Sequence, residues 1–269
     1  MSGAGDAWGE VPRPPLPMRL ADLAGRSVFV TGGGSGIGAA LTEGFMDQGA
    51  NVAFVQRSDA GGFCDALEAR HGTRPLALRA DITDIPALRA ALDTAAARHG
   101  PIEVLVNNAA DDTRHDTLEV TEADWDRATA INLKAAFFAC QAVLPAMQRA
   151  GRGAIVNISS VAYMMGMGGF PGYTASKAGL VSLSRTLARE WGPHGIRVNA
   201  LAPGMVLTER QKRLWLTPEG VAAHVAAQCL RTPLVPEDIV GGVLFLASEA
   251  SRMLTGQVMV VDGGLVAGG

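Results

Sequence analysis

The chain has 269 residues, 48% of them hydrophobic, which is enough apolar material for the full core of one large domain. A formal net charge of -3 and a pI near 6.0 provide no basic field for nucleic acid or an anionic membrane, so a small polar substrate is the better expectation. The three cysteines, Cys64, Cys140 and Cys229, fall in no Cys-x-x-Cys or metal-ligand spacing, and the five histidines form no ligand motif. No metal is expected, and the thiols read as reduced, buried fillers of a cytoplasmic protein.

Residues 1–18 are rich in Gly and Pro, with neither a basic start nor an apolar stretch of signal-peptide length, and read as a flexible extension. No later run approaches the roughly 18 to 20 uncharged apolar residues of a membrane helix. From residue 19 to 269 the pattern is that of one domain in which short apolar runs alternate with amphipathic stretches. Such alternation predicts an α/β fold, a Rossmann-type, doubly wound, seven-stranded parallel sheet with helices on both faces.

The first strand is predicted at Ser27–Val30 with its helix over Ile37–Gln48, and the second at Asn51–Val55. A third strand at Pro75–Arg79 leads to a helix over Ile85–His99, and a fourth strand lies at Ile102–Val106. Thr121 with Asp124 has the form of a capping box opening a helix that runs through Asn132 to Met147. A fifth strand at Gly153–Ile158 precedes a helix over Tyr173–Gly192, and a sixth lies at Arg197–Leu201. Thr217-Pro218 reads as an N-cap followed by proline at the first helical position, starting a separate helix to about Cys229. Val258–Val261 is the seventh strand.

Two constellations carry chemistry. Thr31-Gly-Gly-Gly-Ser-Gly-Ile-Gly38 follows a strand and opens a helix, so backbone amides and the positive helix end can meet a pyrophosphate. Tyr173 and Lys177 stand one helical turn apart, which puts a phenol and an ammonium on one face. Asn107-Asn-Ala-Ala110, Asn132 in Ile-Asn-Leu, and Ser159-Ser160 accompany them.

On these residues the chain resembles the classical short-chain dehydrogenases/reductases from about Leu23 to Gly264. The resemblance implies Asn132, Ser160, Tyr173 and Lys177 as the catalytic set: Tyr173 as general base, Ser160 binding the substrate oxygen, Lys177 favouring the phenolate, and Asn132 holding a relay water. It implies a dinucleotide held by Gly32, Ser35, Gly36, Ile37 and Gly38, with Asp81 and Ile82 at the adenine. Asn108 and Ala109 would border the nicotinamide ribose, and Pro203, Gly204, Val206 and Thr208 the carboxamide. It further implies a substrate lid at about residues 205–230 and a homotetramer.

At the end of the second strand, where an acidic residue would accept bonds from the ribose of NAD, the chain has Gln56 followed by Arg57. Loss of the carboxylate and gain of a guanidinium favour NADP, while Ser35 stands where a basic residue often accompanies that choice. NAD use stays open. Residues 107–115, 207–217 and 226–230 resemble bacterial aldose 1-dehydrogenases acting on galactose, xylose or arabinose. The expected substrate is therefore a cyclic aldose such as galactose, fucose, arabinose, rhamnose or xylose, oxidised at C1 to a lactone. Asp111, Arg114 and Gln211 are candidates for its hydroxyls, Trp215 and Met165 for its apolar faces. The alternatives are a 3-oxoacyl thioester or ketone reductase, and a nucleotide-sensing protein without turnover.

Overall fold

Strand β1, Ser27–Thr31, is flanked by β2, Asn51–Gln56, on one side and β4, Val104–Asn107, on the other, both parallel to it. Adding β3 (Leu76–Arg79), β5 (Gly153–Ile158), β6 (Ile196–Pro203) and β7 (Val258–Val261) gives one seven-stranded sheet in the order β3-β2-β1-β4-β5-β6-β7. Every pairing is parallel. The order reverses between β1 and β4, and the carboxyl ends there, Thr31 and Asn107, open the crevice where doubly wound sheets bind ligands. The computed structural model describes residues 18–266 of the chain.

The described residues form nine α-helices: α1 (Gly36–Asp47), α2 (Gly61–His71), α3 (Ile85–His99), α4 (Glu122–Thr129), α5 (Ala135–Ala150), α6 (Pro171–Trp191), α7 (Glu209–Leu214), α8 (Pro218–Ala227) and α9 (Pro236–Ala247). The side chains of β1 alternate between two cores. Val28 and Val30 join Leu41, Phe45, Val240 and Leu244 on the α1–α9 face, while Phe29 joins Leu88, Val143 and Leu187 on the α3–α5–α6 face. Burial on both faces is why the strands read as near-continuous apolar runs.

Most expected elements are present, with bounds shifted by a few residues. The helix expected from Thr121 to Met147 is three pieces: α4, a π-helical turn over Ala130–Lys134, and α5. Its capping box is complete, with Asp124 N–H donating to Thr121 Oγ1 at 3.2 Å and Thr121 N–H to Asp124 Oδ2 at 3.1 Å. By length and composition alone the stretch Glu122–Ala150 is apolar enough to cross a membrane, but Lys134 and Arg149 break it, so it holds no uncharged run of 18 residues. Its apolarity has a core explanation: Ala135, Ala139, Cys140, Val143, Leu144 and Met147 are buried beneath the sheet.

Three helices, α2, α7 and α9, were not expected from the sequence. Residues 1–17 of the expected extension, and Ala267 at the C-terminus, lie outside the described residues. Met18 is already docked, its carbonyl accepting from Gln48 Nε2 at 3.2 Å. Cys64 and Cys140 are buried, but Cys229, in the segment that follows α8, is exposed.

The expected lid is an excursion whose two ends are tied together. Val206 and Leu234 form a bridge, and Leu207 N–H donates to Leu234 O at 2.8 Å, so α7 and α8 hang from a closed base. Thr217 caps α8 as expected, accepting from Gly220 N–H at 3.1 Å.

Candidate active site

The glycine turn after β1 is shaped by sterics. Gly32 has φ +69°, a region that L side chains rarely enter, and a Cβ on Gly38 would lie 1.9 Å from Gly32 O. Ser35, the N-cap of α1, makes no side-chain cap, so first-turn amides remain for another acceptor. Gly32, Ser35, Gly36, Ile37 and Gly38 all line one cleft of about 1370 Å³. Asn108 secures the turn: its Nδ2 donates to Thr31 O at 3.0 Å and Gly32 O at 3.1 Å, while its N–H donates to Thr31 Oγ1 at 3.0 Å. This cradle fits a dinucleotide pyrophosphate.

Gln56, Arg57, Asp81 and Ile82 line the same cleft beyond the turn. Gln56 turns its amide to Ser58 O at 3.1 Å and Asp59 O at 3.3 Å. Arg57 is 63% exposed and lies 4.0 Å from Asp81. The Thr83 amide holds the Asp81 carboxyl below the usual range against burial, and the Thr83 hydroxyl and Arg57 add to this. Arg70, paired with Glu43, is a second guanidinium on this wall, which the sequence reading missed for want of α2.

At the other end, Ser160, Tyr173 and Lys177 meet in the cleft. Lys177 is 2% exposed. Its Nζ donates to Ile158 O at 2.7 Å and stands 5.5 Å from the Tyr173 ring centre. Burial brings the Lys177 ammonium down to about 8, with Asp112 acting in the opposite sense. Burial pushes the Tyr173 phenol up to about 12; the Ser160 hydroxyl opposes this and Asp112 adds to it. The expectation that Lys177 would bring the phenol toward neutrality is thus not met by the protein groups themselves, because desolvation outweighs them.

Asn132 sits on the π turn, outside the main cleft. A small cavity of about 10 Å³ lies between it, Thr31, Asn107 and Lys177, close to the space of a single water. Its side chain is committed elsewhere: Oδ1 accepts from Asp111 N–H at 3.0 Å, and Nδ2 donates to Asp111 O and Ala128 O, both at 2.9 Å.

That clamp orders the acidic loop. The Asp111 carboxylate accepts from Thr113 Oγ1 at 2.6 Å, Arg210 at 3.1 Å and Arg127 at 3.3 Å. Burial works against its charge, but Thr113 and the two guanidiniums outweigh it and hold the carboxyl below the usual range. Asp112, which the sequence reading passed over, bonds Arg210 and Gln211 of α7 and is the carboxylate that acts on both Tyr173 and Lys177. Arg114 is sandwiched between the Phe170 and Trp215 rings, 5.3 Å from each centre. Phe170 in turn packs on Tyr173 at 5.3 Å. Trp215 thus packs against Arg114 and does not line the cleft, whereas Arg114, Gln211, Met165, Pro203, Gly204, Val206, Thr208 and Ala109 do. Thr208 also caps α7, accepting from Gln211 N–H at 3.2 Å.

A pyrophosphate cradle at the switch point of a parallel sheet, sharing one cleft with a buried Tyr-Lys pair, defines the class: an NAD(P)-dependent dehydrogenase. Residues 32–266 match the family described as enoyl-(acyl carrier protein) reductase. The chain is 50% identical to the protein named "probable galactose dehydrogenase" from Rhizobium meliloti, over 92% of this chain and 97% of that one. It is 43% identical to the D-xylose 1-dehydrogenase of Caulobacter vibrioides, over 90% and 96% respectively. A crystal structure from Beutenbergia cavernae, assigned as an NAD(P)-dependent gluconate 5-dehydrogenase with NADP at low occupancy, superposes with TM-score 0.86 and 38% identity, covering 92% of this chain and 99% of that one. The chain belongs to the short-chain dehydrogenase/reductase family.

Proposed function

We propose that the protein is a sugar 1-dehydrogenase that oxidises the anomeric hydroxyl of a cyclic aldose to a lactone, with NADP as the preferred acceptor. The observation that carries this reading is the polar wall beside Tyr173: Asp112, held by Arg210 and Gln211 of α7, faces the Tyr-Lys pair. A site that reads hydroxyls needs such fixed polar groups, since the wrong epimer leaves them unpaired. The likeness to a galactose dehydrogenase and a xylose 1-dehydrogenase supports it.

In this reading Ser160 Oγ holds the C1 oxygen, and the Tyr173 phenolate takes its proton as C1 gives up a hydride. A bound oxidised nicotinamide would supply the hydride acceptor and a positive charge that favours the phenolate. Lys177, buried and near its working pKa, passes the proton toward the small cavity beside Asn132. Gly32, Ser35, Gly36, Ile37 and Gly38 would hold the pyrophosphate, Asn108 and Ala109 the nicotinamide side, and Arg57 a 2'-phosphate. The lid, closed by Arg114 and Trp215, excludes water. Exposed Trp125 and Phe137 on α4 and α5, with Val260 on the edge strand, support a homotetramer.

Rates of nicotinamide reduction across an aldose panel test this directly. A second reading, reduction of a ketone or 3-oxoacyl thioester, has one observation in its favour: Met165 and Met167 give the cleft mouth a partly exposed apolar side. Turnover of such carbonyls with silence on every aldose would replace the first reading by the second.

A further inference from the structure

Helix α8 carries a polar atom with no partner among the described residues. His224 lines the cleft, and its Nε2 is sealed from solvent and makes no hydrogen bond to them. The helix is fixed in rotation by Val221, buried one turn earlier, and by Gln228, whose Nε2 donates to Asp262 O at 3.2 Å one turn later. His224 is thus presented inward by the same face that anchors the lid. Burial holds its imidazole below the usual range, against the pull of Asp262, so the ring is neutral at physiological pH. A buried donor or acceptor left unpaired is costly, and such a group in a native cleft calls for a ligand.

We propose that His224 is a specificity-determining residue whose Nε2 hydrogen-bonds a ring hydroxyl of the bound sugar; this rests on the aldose reading above. Two observations favour the sugar over the dinucleotide as its partner. Cleft-lining Leu216 leads directly into α8, and its neighbour Trp215 is coupled through Arg114 and Phe170 to Tyr173, so the lid joins the cleft at the reacting end. A hydroxyl both donates and accepts, so it satisfies a neutral imidazole in either tautomer, whereas a phosphate needs the donor form.

The test uses the full-length protein with D-galactose and its 2-, 3-, 4- and 6-deoxy analogues, each with NADP. His224→Leu fills the space without a polar atom and His224→Gln restores one; thermal melting confirms that each variant is folded. The expected result is that His224→Leu loses about 10- to 100-fold in kcat/KM on every sugar that keeps one particular hydroxyl. The analogue lacking that hydroxyl changes by less than about twofold, and His224→Gln recovers part of the loss. Equal loss on all five sugars overturns the proposal. So does weakened NADP binding, followed by fluorescence, with sugar discrimination unaltered. Wild-type protein silent on all five and on other aldoses sinks the sugar reading itself, and the proposal with it; wild-type activity indifferent to His224 sinks the proposal alone.

Discussion

Asn132 holds Asp111 by both of its backbone groups, accepting from the N–H at 3.0 Å and donating to the carbonyl at 2.9 Å. The carboxamide is the one side chain of this size with a donor and an acceptor side by side, so no acid or hydroxyl reproduces the clamp. Asn132→Ala leaves both groups of Asp111 unpaired, a cost of about 2 to 4 kcal/mol. The expected outcome is a melting temperature lower by roughly 5 to 15 °C, with KM for the sugar raised more than kcat falls. Unchanged KM with kcat alone reduced would show that the loop does not depend on this clamp.

Burial dominates the protonation of the reacting pair, and the charge of Asp112 acts on top of it. That charge raises both Tyr173 and Lys177, so Asp112→Asn lets the phenolate form at lower pH. In the proposed mechanism oxidation requires the phenolate, so the rising limb of kcat/KM against pH is expected to move to lower pH in the variant. Asp111→Asn, remote from that pair electrostatically, should leave the limb in place. An upward movement in Asp112→Asn contradicts the assignment.

Arg114 ties the α7–α8 excursion to the body of the protein by stacking between Phe170 and Trp215. Removing both cation-π contacts in Arg114→Ala should cost about 1 to 2 kcal/mol of closure. KM for the sugar rises about 5- to 30-fold, NADP affinity changes little, and limited proteolysis cuts faster between residues 207 and 233. A variant that resists protease like the wild type would show that the lid is held elsewhere.

The proposed preference for NADP rests on Arg57, which stands exposed beside Asp81. Arg57→Ala should lower kcat/KM with NADP by about tenfold or more, the worth of one charge-assisted bond, and leave NAD within about twofold. Equal loss with both cofactors would remove Arg57 from selectivity and turn attention to Arg70.

Much of this architecture was legible because local chemistry and global fold agree. The glycine turn, the Thr121–Asp124 capping box and the Thr217 cap are short-range signals, each written in three to eight residues. Helix α9 was not legible: Ile239 through Ala247 is apolar on nearly every side, since it packs against α1 and the sheet, and no amphipathic period marks it. Helix α7, six residues long, has too few turns for a period at all. The site was legible at Gly32, Gly38, Tyr173 and Lys177, where spacing carries the geometry. Asp111 was named from the sequence, but that Asp112 is the carboxylate acting on the pair was not legible, because the loop's orientation depends on a clamp from Asn132, 21 residues from Asp111. His224 carried no signal either, since its inward orientation follows from the packing of Val221 and Gln228 on the body of the protein.

The most direct measurement is the initial rate of nicotinamide reduction for galactose, fucose, arabinose, rhamnose and xylose, each with NADP and with NAD, using wild-type protein and Tyr173→Phe. The expected result is rapid oxidation of one or a few epimers, faster with NADP, a lactone as product, and a loss of at least about 100-fold in Tyr173→Phe. Silence across the panel while the cofactor binds, or turnover that survives Tyr173→Phe undiminished, would contradict it.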